Sequence, residues 1–284
     1  MEIAETTTSV REKVKAARSQ GKKIGLVPTM GALHIGHIAL IERAVQDCDF
    51  VVVSIFVNPT QFCPGEDLEN YPRPLETDLE ICEKTGVDLV FTPTTEQMYG
   101  TANLTWVTVD KLTEPLCGRF RPGHFRGVTT VCAKLFNIVL PDVAYFGQKD
   151  GQQAIVIKKM VADLNMPLQI VVCTTIREPD GLAVSSRNQY LTAQQKKDAA
   201  LIYQSLRKCE ELVGGGVTDT ESIIAEMRQI LSRAPAMEIE YVNILDAETL
   251  EQIDSIDRKV LAAVAVKLGQ ARLIDNILVD VGPQ

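Results

Sequence analysis

Short apolar runs alternate with amphipathic stretches over residues 24–174, and no other feature of this chain limits its fold as strongly. The runs at 24–27, 50–56, 88–91, 143–146 and 168–174 read as strands, and the segments at 37–48, 75–85, 128–139 and 152–164 carry helical spacing. Such alternation builds a parallel sheet with helices on both faces. The expected architecture is therefore an α/β, Rossmann-like, doubly wound domain. Open sheets of this kind bind ligands beyond the carboxyl ends of their strands, where the strand order reverses.

After residue 177 the pattern changes. Two polar-faced helices at 192–213 and 218–233 precede strands at 239–245, 260–266 and 271–279. The predicted division is a Rossmann-like domain over 1–176 and a smaller C-terminal α+β domain over 177–284, which would close over the site. Gly214-Gly215-Gly216 follows a helix and no Lys-Ser or Lys-Thr comes after it, so it reads as an inter-helix turn and not as a phosphate loop.

With 284 residues and 45% hydrophobic content, the chain has material for two cores. A net charge of −8 argues against nucleic-acid and anionic-membrane partners, so an anionic small molecule must be held by local positive groups. Seven cysteines, odd in number and never spaced C-x-x-C, point to neither a disulfide framework nor a thiolate metal site. The apolar runs fall well short of the roughly 20 residues of a membrane span, and the first ten residues lack signal-peptide character. A cytoplasmic location is the expectation.

Residues 28–37 read Pro-Thr-Met-Gly-Ala-Leu-His-Ile-Gly-His and hold two of the three histidines of the chain. They fall between the first strand and a helix. A helix N-terminus carries unpaired N–H groups and partial positive charge, which favour an anion. His34 and His37, three apart, share a face of the first turn, and Gly36 between them permits close backbone approach by a ligand.

Four further segments carry polar groups of matching chemistry. Asn58 and Gln61, just past the second strand, offer uncharged amides suited to hydroxyl and carboxylate groups. The stretch at 63–74 is polar, with few apolar anchors, and is expected to be a mobile lid. Arg119, Arg121, His124 and Arg126 form a local positive patch, and their alternative reading is a loop whose arginines meet nearby carboxylates. Past the fourth strand, Gly147-Gln148-Lys149-Asp150 repeats the strand, glycine, helix-start order. Lys149 there sets a positive charge against a helix N-terminus, which is unfavourable unless an anion compensates. Ser185, Ser186 and Arg187 supply hydroxyls and a guanidinium suited to polyphosphate, and their alternative reading is a simple Ser-rich linker.

Taken in order, P-T-M-G-A-L-H-I-G-H, F-V-N-P-T-Q-F, R-P-G-H-F-R-G-V, Y-F-G-Q-K-D-x-Q-Q and S-S-R-N-x-Y-L resemble the pantothenate synthetase (pantoate–β-alanine ligase) family, within the H-x-G-H nucleotidylyltransferase superfamily. The resemblance implies a two-step ligation in which pantoate attacks the α-phosphate of ATP to give pantoyl adenylate and pyrophosphate, and β-alanine then displaces AMP. Carried over residue by residue, it implies ATP contacts from Met30, Gly31, Ala32, Leu33, His34, Ile35, Gly36 and His37. Further ATP contacts would come from Gly147, Gln148, Lys149, Asp150, Ile176, Val184, Ser185, Ser186 and Arg187. Within that set, His34, His37, Lys149 and Arg187 would act catalytically, with His37 described in such families as a proton donor. Pantoate would be held by Gln61 and Gln153 with Asn58 and His124 nearby, and Gln61 would border β-alanine. Magnesium would accompany ATP, its protein ligands unspecified, and the chain would form a homodimer. Cys117 stands where many members carry glutamate, Val184 where methionine is frequent, and Gly151 where a larger residue is frequent. The competing readings are another H-x-G-H nucleotidylyltransferase and a non-catalytic nucleotide-binding regulator.

Overall fold

The computed structural model describes residues 1–280, which divide into two compact units: Met1–Gly147 with Gln152–Cys173, and Gln148–Gly151 with the chain from Thr174 onward. In the first part of the chain the elements run β1 (Glu2–Ala4), α1 (Thr7–Ser19), β2 (Ile24–Thr29), α2 (Ile35–Asp47), β3 (Phe50–Ile55), α3 (Leu75–Lys84), β4 (Leu89–Phe91) and α4 (Thr95–Tyr99). They continue with α5 (Cys117–Phe120), α6 (His124–Val139), β5 (Val143–Gly147), α7 (Gly151–Asp163) and β6 (Gln169–Cys173).

The six strands form one sheet in the order β1-β4-β3-β2-β5-β6, with every pairing parallel. Side chains alternate between its two faces, as the two-residue period of a strand requires. Leu26, Val52, Leu89, Phe91, Ala144 and Phe146 pack with residues of α1, α6 and α7. Their sequence neighbours Val27, Val51, Val53, Val90, Val143 and Tyr145 pack with residues of α2 and α3. Both faces are covered, which is why these strands are apolar throughout. The order runs outward from β2 through β3 and β4 on one side and from β5 to β6 on the other, so the reversal lies at the neighbouring β2 and β5.

The doubly wound sheet matches the expectation, and the differences lie at its margins. Helix α1 escapes pattern reading because its buried positions, Val10, Val14 and Ala17, are sparse among charged neighbours. It is started by Thr6, whose Oγ1 accepts the Ser9 N–H at 3.2 Å. Strand β1 is only three residues long and pairs with β4 alone. Helices α2 and α6 begin earlier than the apolar spacing indicates, at Ile35 and His124.

The second unit contains α8 (Ala193–Gly214), α9 (Thr220–Leu231) and the antiparallel sheet β7 (Met237–Asp246), β8 (Val260–Leu268) and β9 (Ala271–Val279). Ile202, Leu206 and Cys209 of α8 and Ile223 and Met227 of α9 pack with Val242, Ile244, Val260 and Val264 of the sheet. Gly214, Gly215 and Gly216 lie where α8 ends and the chain turns toward α9, and Gly216 takes a left-handed φ of 87°. The boundary expected at residue 176 falls after Cys173, and the turn Gln148–Gly151 sorts with the second unit because Asn276 of β9 hydrogen-bonds it.

Candidate active site

The carboxyl end of β2 passes directly into the histidine turn. Thr29 Oγ1 donates to the Ser54 carbonyl at 2.7 Å and accepts the Gly31 N–H at 3.2 Å. Gly31 and Ala32 then adopt left-handed backbone, φ 81° and 50°, a conformation alanine rarely takes. What holds it is Asp78 on α3. Its carboxylate, 1% exposed, accepts the Ala32 N–H at 2.9 Å and the Leu33 N–H at 2.7 Å. Burial pushes the Asp78 carboxyl above its ordinary value, and the two backbone donors pull against that shift.

His34 is the N-cap of α2, with Nδ1 accepting the Gly36 N–H at 3.1 Å, and the His34 N–H reaches His37 Nδ1 at 3.3 Å. The two ring centroids lie 4.0 Å apart at 33°. An Nδ1 that accepts from the backbone puts the proton of a neutral ring on Nε2, so each imidazole is set to donate from that atom. Gly36 has a more specific reason than open access: a Cβ there would stand 2.9 Å from His34 Cε1. The glycine leaves room for the capping ring.

Next in the first unit comes the turn Pro59–Gln61, a single 3-10 turn after β3. Asn58 before it is 1% exposed, and its amide is committed to protein. Nδ2 donates to Gln61 Oε1 at 3.0 Å and to the Gly127 carbonyl at 3.2 Å, while Oδ1 accepts Tyr99 Oη at 2.7 Å and Thr60 Oγ1 at 2.9 Å. Asn58 thus stands behind Gln61, whose side chain it holds. Gln61 Nε2 meets Met30 Sδ at 3.1 Å, which joins this turn to the histidine turn. Helix α6 lies against the same backbone through Gly127, where a Cβ would be 2.3 Å from the Thr60 carbonyl oxygen.

His124 also lies behind Gln61. Its Nδ1 is 2.7 Å from the Gln61 carbonyl and its Nε2 is 3.0 Å from Arg121 Nη1. A guanidinium only donates and a carbonyl only accepts, so the proton of the neutral ring sits on Nδ1. Arg121 in turn grips Glu66 with Nε at 2.6 Å and Nη2 at 2.7 Å. Burial opposes ionisation of Glu66, but Arg121 and the Cys63 N–H outweigh it and hold the carboxyl below its usual range. Arg126 stacks over Trp106 at 4.8 Å. Of the three arginines, Arg121 meets a carboxylate, as the alternative reading anticipates, while Arg126 meets an indole. The 63–74 stretch also carries anchors the sequence did not reveal: Glu66, the buried Tyr71 edge-on to Phe62 at 5.9 Å, and Arg73, which donates to the Leu68 and Tyr71 carbonyls.

Gln152 and Gln153 part company on α7. Gln152 is buried, its Oε1 accepting the Cys117 N–H at 3.0 Å and its Nε2 donating to the carbonyls of Leu112 and Pro115. Gln153 remains partly exposed on the adjacent face. Cys117 is buried in this brace, beside Gly118, where a Cβ would overlap the Thr113 carbonyl at 1.6 Å.

In the second unit, Lys149 occupies the 3-10 turn Gln148–Asp150, with Nζ 3.8 Å from Asp150 Oδ1. Ile176 and Val184 meet across a small hairpin, the Val184 N–H donating to the Ile176 carbonyl at 3.0 Å. Ser185 caps the turn Ser186–Tyr190 by accepting the Arg187 N–H at 3.4 Å. Asn188 Oδ1 and Thr175 Oγ1 are buried without a protein partner among the described residues, an open hydrogen-bonding capacity next to this loop. Asp78, Arg177, Asp275 and Asn276 were not singled out by sequence. They bond across long separations, 46 residues for Asp78 to Ala32, and no local pattern marks them.

Among the described residues no three His, Cys, Asp or Glu side chains cluster so as to hold a metal ion. No helix among them is long and apolar enough to cross a membrane.

A family model described as pantoate-beta-alanine ligase matches residues 2–278. The pantothenate synthetase of Thermoanaerobacter pseudethanolicus is 51% identical over 278 residues, with 98% of each chain covered. That of Moorella thermoacetica is 52% identical over 281 residues, with 99% of each covered. Among solved structures, the pantothenate synthetase of Thermus thermophilus is similar over 100% of both chains at 42% identity and a TM-score of 0.93. The pantoate-beta-alanine ligase of Francisella tularensis, solved with beta-gamma ATP and beta-alanine, covers 98% of this chain and 97% of its own at 35% identity and a TM-score of 0.81.

Proposed function

This chain belongs to the pantoate-beta-alanine ligase family, and on that premise we propose that it joins pantoate to β-alanine with ATP by way of pantoyl adenylate. The observation that carries the reading is the histidine turn: both Nδ1 atoms accept from backbone at the start of α2, which puts the N–H of each neutral ring on Nε2 beside a helix N-terminus suited to an anion. A carboxylate is already ionised and needs no base to attack phosphorus. Catalysis of the first step therefore falls to positioning and charge stabilisation.

In this reading His34 and His37 donate to phosphate oxygens, and Lys149 and Arg187 add positive charge as pyrophosphate departs. Gln61 orients pantoate and borders β-alanine, with Gln153 as its second amide. Asn58 and His124 act on pantoate through Gln61, whose side chain and carbonyl they respectively hold. ATP enters as its magnesium complex. Mg²⁺ commonly keeps several waters and takes most remaining ligands from substrate phosphates. A homodimer is part of the same reading, and light scattering would test it.

Incubation with ATP, pantoate and β-alanine should yield AMP and pantothenate, and pantoate alone should support exchange of labelled pyrophosphate into ATP. Absence of pantoate-dependent AMP or exchange would overturn the proposal. A nucleotidylyltransferase would instead leave the nucleotide on its acceptor and release no free AMP.

A further inference from the structure

Asn276 sits on β9 at 5% exposure, and its carboxamide is devoted to the turn that carries Lys149. Gln148 Nε2 donates to Oδ1 at 2.7 Å, while Nδ2 donates to the carbonyls of Gln148 at 3.0 Å and Lys149 at 2.9 Å. Gly151 makes the approach possible: a Cβ there would stand 2.7 Å from Asn276 Oδ1. The strand supplying Asn276 is itself fixed at this point. Asp275, 3% exposed, accepts the Asn276 N–H at 2.8 Å and both terminal nitrogens of Arg177, and that guanidinium lies 3.9 Å from the Tyr203 ring centroid.

We propose that Asn276 is a positioning residue for Lys149, fixing the backbone from which the ammonium is delivered to the polyphosphate. The inference rests on the reading of Lys149 as a phosphate-directed charge. A lysine side chain is long and flexible, so the volume its Nζ samples is set by where its Cα is anchored. Local structure supplies little of that anchoring, because the turn is one 3-10 turn long and its residues are partly exposed. The two carbonyls that Nδ2 holds belong to Lys149 and the residue before it, so Asn276 constrains the peptide units on both sides of the Lys149 Cα. The lack of a side chain at Gly151 is what admits this amide.

Asn276→Ala, Lys149→Ala and the double variant test the proposal, assayed by pantoate-dependent pyrophosphate exchange and by kcat and KM for ATP, with melting temperatures recorded. Asn276→Ala should lose roughly tenfold to a hundredfold in exchange rate, the scale of an ångström-level misplacement, and the double variant should be no slower than Lys149→Ala. A merely structural asparagine would instead multiply the two losses, which overturns the proposal. So does a folded Asn276→Ala at parental rate while Lys149→Ala is crippled. A parental Lys149→Ala would sink the reading of Lys149 itself, a separate outcome. Should Asn276→Ala fail to fold, Gly151→Ala displaces the same amide from the opposite side. It should lose at least tenfold without worsening Lys149→Ala, and parental activity in it would refute the inference.

Discussion

Asp78 accepts the backbone N–H of Ala32 while Ala32 holds a left-handed φ of 50°, so a buried carboxylate on α3 sustains the strained loop that leads into α2. Asn at position 78 keeps the shape but presents a donor where one of two N–H groups needs an acceptor. Asp78→Asn should therefore lower pantoate-dependent pyrophosphate exchange by about tenfold or more through displacement of the histidine turn. A pH signature accompanies it. The folded-state pKa of Asp78 lies above its ordinary 3.8, so the folded chain binds the extra proton just above that pH. Its own contribution to stability falls as pH rises through that interval, and the Asn variant should lack this slope in denaturant titrations.

Gly36→Ala tests the capping geometry. The added Cβ would meet His34 Cε1 at 2.9 Å and turn the ring from its Gly36 contact. Its activity should drop toward that of His34→Ala, and Gly36→Ala combined with His34→Ala should be no worse than His34→Ala alone. His37→Ala should lose about 10²- to 10⁴-fold in kcat, the span for a lost transition-state donor. Parental turnover in any of these variants would refute the account of the turn.

The Glu66–Arg121 pair gives a second pH dependence, of opposite sign. Glu66 has a folded-state pKa below its ordinary 4.5, so its stabilisation is complete above that value and is lost as pH falls beneath it. Amide exchange across residues 63–74 should accelerate on acidification below about 4.5, relative to the rest of the first unit. Glu66→Gln should show the fast exchange at neutral pH and no further change with acid. Uniform exchange behaviour in both proteins would show that the pair does not hold the segment.

Three thiols should be inert. Burial pushes Cys82, Cys132 and Cys209 each up to about 12, which leaves on the order of one thiol in 10⁴ ionised at pH 8. Mass spectrometry after iodoacetamide treatment of the folded protein should find these three unmodified until denaturant is added. Rapid labelling of any of them under native conditions would contradict the packing described.

Strands β2 to β6 of the main sheet were legible because two-sided burial writes an unbroken apolar run, as in Val51, Val52 and Val53, whereas the three-residue β1 was not. Helix α1 was not, since one buried side chain per turn hardly stands out among charged neighbours. The histidine turn was legible as a junction between strand and helix, but the reason for Gly36 was not, because it depends on where an imidazole folds. Asn58 shows the limit most clearly. Its residue type fits ligand recognition and support equally well, and only its bonds to Gly127 and Tyr99, far away in sequence, reveal that the amide is already used.

The partition of the chain bears on its biosynthesis. The first unit is completed only when β6 is made, but the four-residue turn Gln148–Gly151 within its span waits for Asn276, 127 residues beyond Lys149. During translation that turn is synthesised, passed over and left without its clasp until β9 has emerged. A nascent chain arrested short of β9 would carry Lys149 on a turn still lacking its bonds to Asn276.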